Sequence, residues 1–428
     1  MAAATAAANS AANVLLLDEN PAVGGQVWRT GRATSRYRSV DGDRARSLAI
    51  GRLQASGVKL LLGYTIYDAP KAGELRAICE TTNDASGNSV SPAPTLISLR
   101  YKKLILATGA RERFLPFPGW TLPGVFGAGG LQAMVKGGFE IEGKRIVVAG
   151  SGPLLIAVAE HLRCYGGKVV CVAEQASISQ MLPFIAGLWS HPGKVVQGIR
   201  YISALSSVPY RFACWTVAAN ANKGVLSSVR LTNGKRTWEE ACDLLACGFH
   251  LVPNTELASL LGCVIEGGRV RVNENQQTSV SNIYCAGELT GIGGVDAARL
   301  QGEIAGLASV GKSTSYKQWR RVKEKKFAER LSSAFQLRAE LRSLAKPDTL
   351  VCRCEDVSFT AIEGRSGWRD AKLQTRCGMG PCQGRICGAA TEFLFGWKES
   401  SVRPPLTPVP IAALISRPFQ SMDIKENS

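Results

Sequence analysis

The sequence predicts an α/β protein built from two Rossmann-like dinucleotide-binding units, doubly wound on parallel sheets, with a small C-terminal Cys-rich module. Three observations carry this. Short continuous apolar runs alternate with helical patterns, as in sheets covered on both faces. A Gly-x-Gly turn, Gly150-Ser151-Gly152, lies directly between one such run and a helix. Five cysteines crowd into the thirty-six residues from Cys352 to Cys387, while the other eight are scattered.

The elements follow in order. Val14-Leu15-Leu16-Leu17 is a short buried run, closed by Asp18 to Pro21 and Gly24-Gly25, with irregular chain after it. Leu104 to Ala107 predicts a second buried strand, ending in Thr108-Gly109. Arg145 to Ala149 opens a βαβ unit, with a helix from about Pro153 to Tyr165 and a strand from Lys168 to Ala173. Asn282 to Cys285 is a further strand, ending at Gly287. From Gly311 the pattern is helical and basic to about Ala345, and Pro347 breaks it. The stretch Pro404 to Pro410 is extended by proline geometry.

Composition sets the outer bounds. With 428 residues, 45% of them apolar, the chain can bury a sizeable core. No apolar run has the length and charge-free character of a bilayer span, and Met1 to Ala12 lacks the basic and Leu-rich regions of a signal peptide. A cytoplasmic, reducing location is therefore expected, where cysteines serve as thiols or metal ligands rather than disulfides. The formal charge of +17 concentrates in Arg320 to Lys326, with Glu324 and Glu329 interspersed. That reads first as a solvated helix face, then as a docking surface for an acidic protein or anionic lipid. No nucleic-acid signature accompanies it.

Gly150 permits the tight turn, Gly152 lets a pyrophosphate approach the backbone, and the helix behind supplies unpaired N–H groups. Glu174, closing the next strand, is placed to hold a ribose hydroxyl. Leu155 replaces the third glycine of the usual pattern, so either a nucleotide such as NAD(P) or a Rossmann-like unit without its ligand remains open. Glu19 before Gly24-Gly25-Gln26 looks like the ribose-binding acid and turn of an FAD-binding domain. The strand and Gly-rich loop expected before it are absent. The Ala-rich opening resembles the second half of a phosphate-binding helix, so the expectation is a chain starting late, through a misplaced start or a real truncation. Thr108-Gly109 suits a crossing close to a cofactor. Cys285-Ala286-Gly287-Glu288, with Gly291, Gly293 and Gly294 opening a helix, resembles the second FAD motif, with Glu288 where Asp is more usual.

Clustered cysteines are what a thiolate-bound centre needs. The Cys352-x-Cys354 and Cys377-x4-Cys382 spacing departs from ordinary zinc knuckles and favours a [2Fe–2S] cluster over structural zinc. Gly378, Gly380 and Gly384 would let backbone N–H groups reach sulfur. No Cys-x-x-Cys occurs, so a flavin-to-dithiol relay lacks its redox pair. The three histidines, His161, His191 and His250, fall in no catalytic motif, and His161 reads as packing.

Leu104 to Arg113 (LILATGARER), Pro118 to Gly130 (PGWTLPGVFGAGG), Ala149 to Leu155 (AGSGPLL), Gly248 to Glu256 (GFHLVPNTE) and Val351 to Gly388 resemble one bacterial family. It comprises the FAD- and iron–sulfur-carrying α subunits of opine oxidases, hydroxyproline dehydrogenases and hydrogen cyanide synthase. The resemblance spans nearly the whole chain and implies a two-domain flavoprotein reductase fold with an appended ferredoxin-like (BFD-like) module. Its implied organisation is an FAD-binding domain at 1–140 with 251–310, an inserted NAD(P)-like domain at 141–250 and a helical linker at 311–348. The [2Fe–2S] module then covers 349–399 and a Pro-rich tail 400–428.

By the same resemblance, Cys352, Cys354, Cys382 and Cys387 ligate the cluster, with Cys377 as the alternate. Glu19 and Glu288 contact FAD, and Gly24, Gly25, Gln26, Thr108, Gly109, Gly287 and Gly294 shape its site. Gly150, Gly152 and Glu174 are the nucleotide contacts of the second unit. The implied function is an electron-transfer subunit of an enzyme oxidising the CH–NH group of an amino acid, opine or hydroxyproline. The substrate is oxidised on a β subunit of the D-amino-acid/glycine-oxidase type. A membrane electron acceptor and a small additional subunit are further candidate partners, the former placing the protein at the inner-membrane surface. Two other readings stay open: an NAD(P)H-dependent flavin and iron–sulfur reductase, and a non-catalytic scaffold with a zinc-filled module.

Overall fold

The computed structural model describes residues 1–26, 28–29, 42–79, 82–83, 89–91, 94–398, 402–415 and 420–422. Its centre is a five-stranded parallel sheet in the order Val125–Gly127, Leu244–Phe249, Arg145–Ser151, Lys168–Glu174, Tyr210–Arg211. Residues 146–151 of the Gly-loop strand and all of Leu244–Phe249 are buried, as the unbroken apolar runs require of strands covered on both faces. Helix Leu154–Cys164 buries Leu155, Val158, Ala159 and Leu162, one stripe at helical spacing, against Ile146, Val148 and Val172. The edge strand Val125–Gly127 belongs to this sheet although it precedes residue 141, the boundary read from the sequence.

An antiparallel layer of Trp215–Asn222, Val225–Thr232 and Thr237–Ala241 covers the other face, with Val229 and Leu231 packed on Val147 and Ala149. The sequence reading missed this layer. Its first turn is Lys223-Gly224, both with positive φ, a two-residue hairpin whose Lys gives no glycine signal at the first position.

The first unit is assembled from both ends of the chain. Leu15–Asp18 pairs in parallel with Lys59–Leu62, and Leu104–Leu106 with Ile283–Cys285. Helix Ala2–Ala8 lies on helix Gly294–Ser309. The contact needs glycine, because a Cβ on Gly306 would come within 2.3 Å of the Ala3 carbonyl oxygen. Helix Gly42–Ala55 and the antiparallel strands Thr65–Lys71, Glu74–Cys79 and Thr95–Arg100 lie where the sequence reading expected irregular chain. The chain enters the second unit through Ala110–Glu112 and returns through Leu251–Pro253, and these two segments pair antiparallel.

Beyond the first unit, helix Gln318–Ala334 packs on helix Ile178–Gly187, with Phe327 and Phe184 ring centroids 5.5 Å apart. The helix ends at Ala334 rather than continuing toward Ala345, because the carbonyls of Phe335 and Gln336 find partners on the second unit instead. The Cys-rich segment then folds about its own small core of Val351, Val357, Ile362, Trp368 and Ala371. The part of the Pro-rich segment that is described is not free: Leu406 is buried in the core of the first unit. Among the described residues no helix is long and apolar enough to cross a membrane.

Candidate functional site

Cys352 ends strand Leu350–Cys352, Cys387 begins helix Cys387–Phe395, and Cys377 follows helix Trp368–Thr375. Their sulfurs lie within 4.8 Å of one another, and all three residues are buried. Hydrogen bonds from the thiols of Cys377 and then Cys387, joined by the Gly378 N–H at 3.5 Å, hold the Cys352 thiol down at about 2. The same contacts push Cys377 up to about 12 and raise Cys387 strongly, since a second thiolate would sit against the first. Three sulfurs so placed can all ionise only around a cation, and this donor set fits a thiolate-bound metal group. Cys354 and Cys382 face each other beside the triad. All five sequence-predicted cysteines thus converge, with Cys377, the alternate by resemblance, inside the tightest group.

Glycine is required around them. A Cβ on Gly380 would meet the Cys354 Cβ at 2.3 Å, and one on Gly378 would meet the Trp368 ring at 2.6 Å. A cavity of about 210 Å³ opens beside Cys352, Cys354, Cys382 and Cys387. Phe114, Trp120 and Phe126 of the body form its apolar wall.

The module is bonded to the body where the chain crosses between units. Arg111 Nε donates to the Arg385 carbonyl at 3.0 Å, and its Nη1 reaches Glu256 at 2.7 Å and Asn254 at 2.8 Å. Asn254 in turn is locked to Thr108, its Nδ2 donating to the Thr108 carbonyl and its carbonyl accepting from Thr108 Oγ1. Trp120 Nε1 donates to the Leu350 carbonyl at 2.6 Å. The sequence reading missed Arg111, Asn254, Trp120 and Arg385. All sit in the stretches that carried the family resemblance, so the signal lay in the motifs but not in any residue's chemistry alone.

Thr108-Gly109 and Gly287-Glu288 end the paired strands Leu104–Leu106 and Ile283–Cys285, so the structure brings these sequence-predicted contacts together. Glu288 Oε1 accepts the Gly294 N–H at 2.9 Å, on the first turn of helix Gly294–Ser309. Its Oε2 is buried without a hydrogen-bond partner, and burial raises the carboxyl above its ordinary value. An orphaned buried acceptor is costly, and a ligand hydroxyl would satisfy it. These residues fit a flavin's polyol chain. Glu19 is exposed just beyond strand Leu15–Asp18, and Gly24, Gly25 and Gln26 follow in a turn.

In the second unit, Gly150 is held by packing. A Cβ there would lie 1.8 Å from the Gly248 carbonyl oxygen. Glu174 is fully buried, and its carboxylate accepts the N–H groups of Gly152 and Ala176, both at 2.8 Å. His161 is buried beside Tyr165, a packing residue, and burial lowers it to about 4.

The body is thus a pair of Rossmann-like units, with a Cys-rich module docked on it. The chain belongs to the pyridine nucleotide-disulphide oxidoreductase family, whose sequence profile matches residues 1–302. Within that class it is similar to the HcnB chain of hydrogen cyanide synthase from Pseudomonas aeruginosa, at 32% identity over 75% of this chain and 77% of that one. It is also similar to an opine oxidase subunit of Agrobacterium tumefaciens, at 28% identity over 99% of this chain and 91% of the relative. Among solved structures, L-proline dehydrogenase from P. horikoshii has a TM-score of 0.66 at 19% identity, over 97% of this chain and 77% of that one. Thioredoxin reductase of Lactococcus lactis has 0.50 at 18%, over 72% and 93%. Both share the fold.

Proposed function

We propose that the chain is the flavin- and [2Fe–2S]-carrying electron-transfer subunit of a multi-subunit dehydrogenase or oxidase. Its substrate class is the CH–NH group of an amino acid, opine or hydroxyproline. The observation that carries this reading is the buried Cys352–Cys377–Cys387 triad, docked through Arg111 onto the strand end at Thr108-Gly109. Bound at these two sites, a flavin supplies two-electron chemistry and an iron–sulfur cluster one-electron chemistry.

The chain's own residues do the rest. Cys352, Cys354, Cys382 and Cys387 would hold the cluster, with Cys377, which lies against Cys352 and Cys387, as the alternate ligand. Gly378 directs its N–H at sulfur, which favours the reduced form of a thiolate-bound metal. Phe114, Trp120 and Phe126 give the cavity beside the cysteines an apolar wall on the side that faces the body. Glu288 offers its orphaned oxygen to the flavin polyol. The substrate would be oxidised on a separate β subunit of the D-amino-acid/glycine-oxidase type, consistent with relatives that are themselves named as subunits. A membrane acceptor and a small third subunit fit the same scheme.

The test is elemental analysis of the purified protein with its visible spectrum. Iron and acid-labile sulfide in equal amounts, about two of each per chain, are expected together with flavin absorption. Stoichiometric zinc without sulfide would overturn the reading in favour of a structural module.

A further inference from the structure

The family implies a nucleotide in the second unit, but the residues present there do not fit one. A dinucleotide in such a unit needs three things: backbone N–H groups of the Gly loop for its pyrophosphate, a free carboxylate oxygen for its ribose, and an open surface just past that acid for its adenine. The chain itself takes the Gly152 N–H, both oxygens of the acid and the surface past it. The middle residue of the Gly loop, Ser151, is buried and donates its hydroxyl to the Phe335 carbonyl at 3.2 Å. The same carbonyl accepts from His250 Nε2 at 2.6 Å. Gln175, directly after the acid, donates to Ser151 Oγ at 2.9 Å and to the Gln336 carbonyl at 3.3 Å, while its Oε1 accepts the Arg338 N–H at 3.1 Å. Both oxygens of Glu174 are committed to backbone N–H groups, and the residue has no exposed surface. The surface past the acid is covered too: the Phe335 ring packs in one cluster with Ala176, Phe184 and Phe327. The Arg338 guanidinium, 3.9 Å from the Trp215 ring centroid, clamps the far end.

We infer that residues Phe335 to Arg338 are a built-in occupant of the second dinucleotide crevice and keep NAD(P)H out of it. The carbonyls of Phe335 and Gln336 take up the Ser151, His250 and Gln175 donors at the strand ends, and the Phe335 ring packs against Ala176 just past the acid. The segment follows helix Gln318–Ala334 and precedes the Cys-rich module, so the same plug anchors the connector. Reducing equivalents then enter from the flavin side and not from a nicotinamide. This holds whether or not the Cys-rich module carries iron.

Calorimetric titration of NADH and of NADPH into the intact protein tests it. The native chain should show no saturation up to about 1 mM. A Phe335→Ala/Arg338→Ala variant, and the milder Arg338→Ala alone, should acquire saturable binding of at least one of the two, with far-ultraviolet dichroism confirming that they are folded. Saturable binding to the native chain in the micromolar range would overturn the proposal. So would folded variants, both single and double, that remain blind to either nucleotide, since exclusion would then not come from the connector.

Discussion

Glu174 shows what a motif position can conceal. Its place at the end of the second strand is readable from spacing alone, and the structure puts it there. Its environment is not readable, because the residues that bury it come from a distant segment. Burial raises its carboxyl to about 7, even though the N–H groups of Ala176 and Gly152 pull the other way. The folded chain therefore binds this proton more tightly than the unfolded chain, whose carboxyl titrates near 4.5. The contribution to stability is full below that value and is lost as pH rises through about 7, a span of roughly 3 kcal/mol. Thermal melting of the native protein should fall between those two values. Glu174→Gln should flatten that slope, since an amide does not titrate in this range. A native slope of the opposite sign would contradict the burial of this carboxyl. Cys377 makes a related point. Resemblance leaves it as an alternate, whereas position in space puts it against Cys352 and Cys387.

Strand Ala110–Glu112 carries more than its length suggests. It closes the crossing between the two units by pairing with Leu251–Pro253, and Arg111 on it spans Glu256, Asn254 and Arg385. Replacing Arg111 by Ala leaves the partly buried Glu256 without its partner and should cost about 1–3 kcal/mol. The loss should appear as faster proteolysis within 349–398 than within the second unit. Lysine should not rescue it, because a single ammonium cannot reach three acceptors with the geometry of the guanidinium fork. Unchanged proteolysis of the module would show that Arg111 does not hold it. The parallel strands and the helix behind the Gly loop were legible because continuous apolar runs and a 3.6-residue stripe are local signals. The antiparallel layers at 65–100 and 215–241 were not, since their strands alternate weakly and gain their order from burial against the sheet. The end of the connector helix at Ala334 was illegible for the same reason: long-range carbonyl partners decide it.

The two units of the molecule share a plan and differ in what faces their crevices. The first leaves a buried carboxylate oxygen of Glu288 unpaired beside Gly287 and Gly294. The second is sealed by the chain's own Phe335 to Arg338. The Cys-rich module is tied to the first unit twice, by Arg111 to the Arg385 carbonyl and by Arg385 Nη2 to the Leu406 carbonyl at 2.9 Å, and Leu406 is buried in that unit's core. The cavity beside the cysteines is walled by Trp120 and Phe126, which pack with the sheet of the second unit, so the sulfur centre lies against both units. Electron paramagnetic resonance of the dithionite-reduced protein tests the proposal that this centre carries one electron at a time. A rhombic spin-half signal of a reduced [2Fe–2S] cluster is expected, and it should disappear in Cys352→Ser and Cys387→Ser. A protein that is silent when reduced and carries zinc in the module would contradict it.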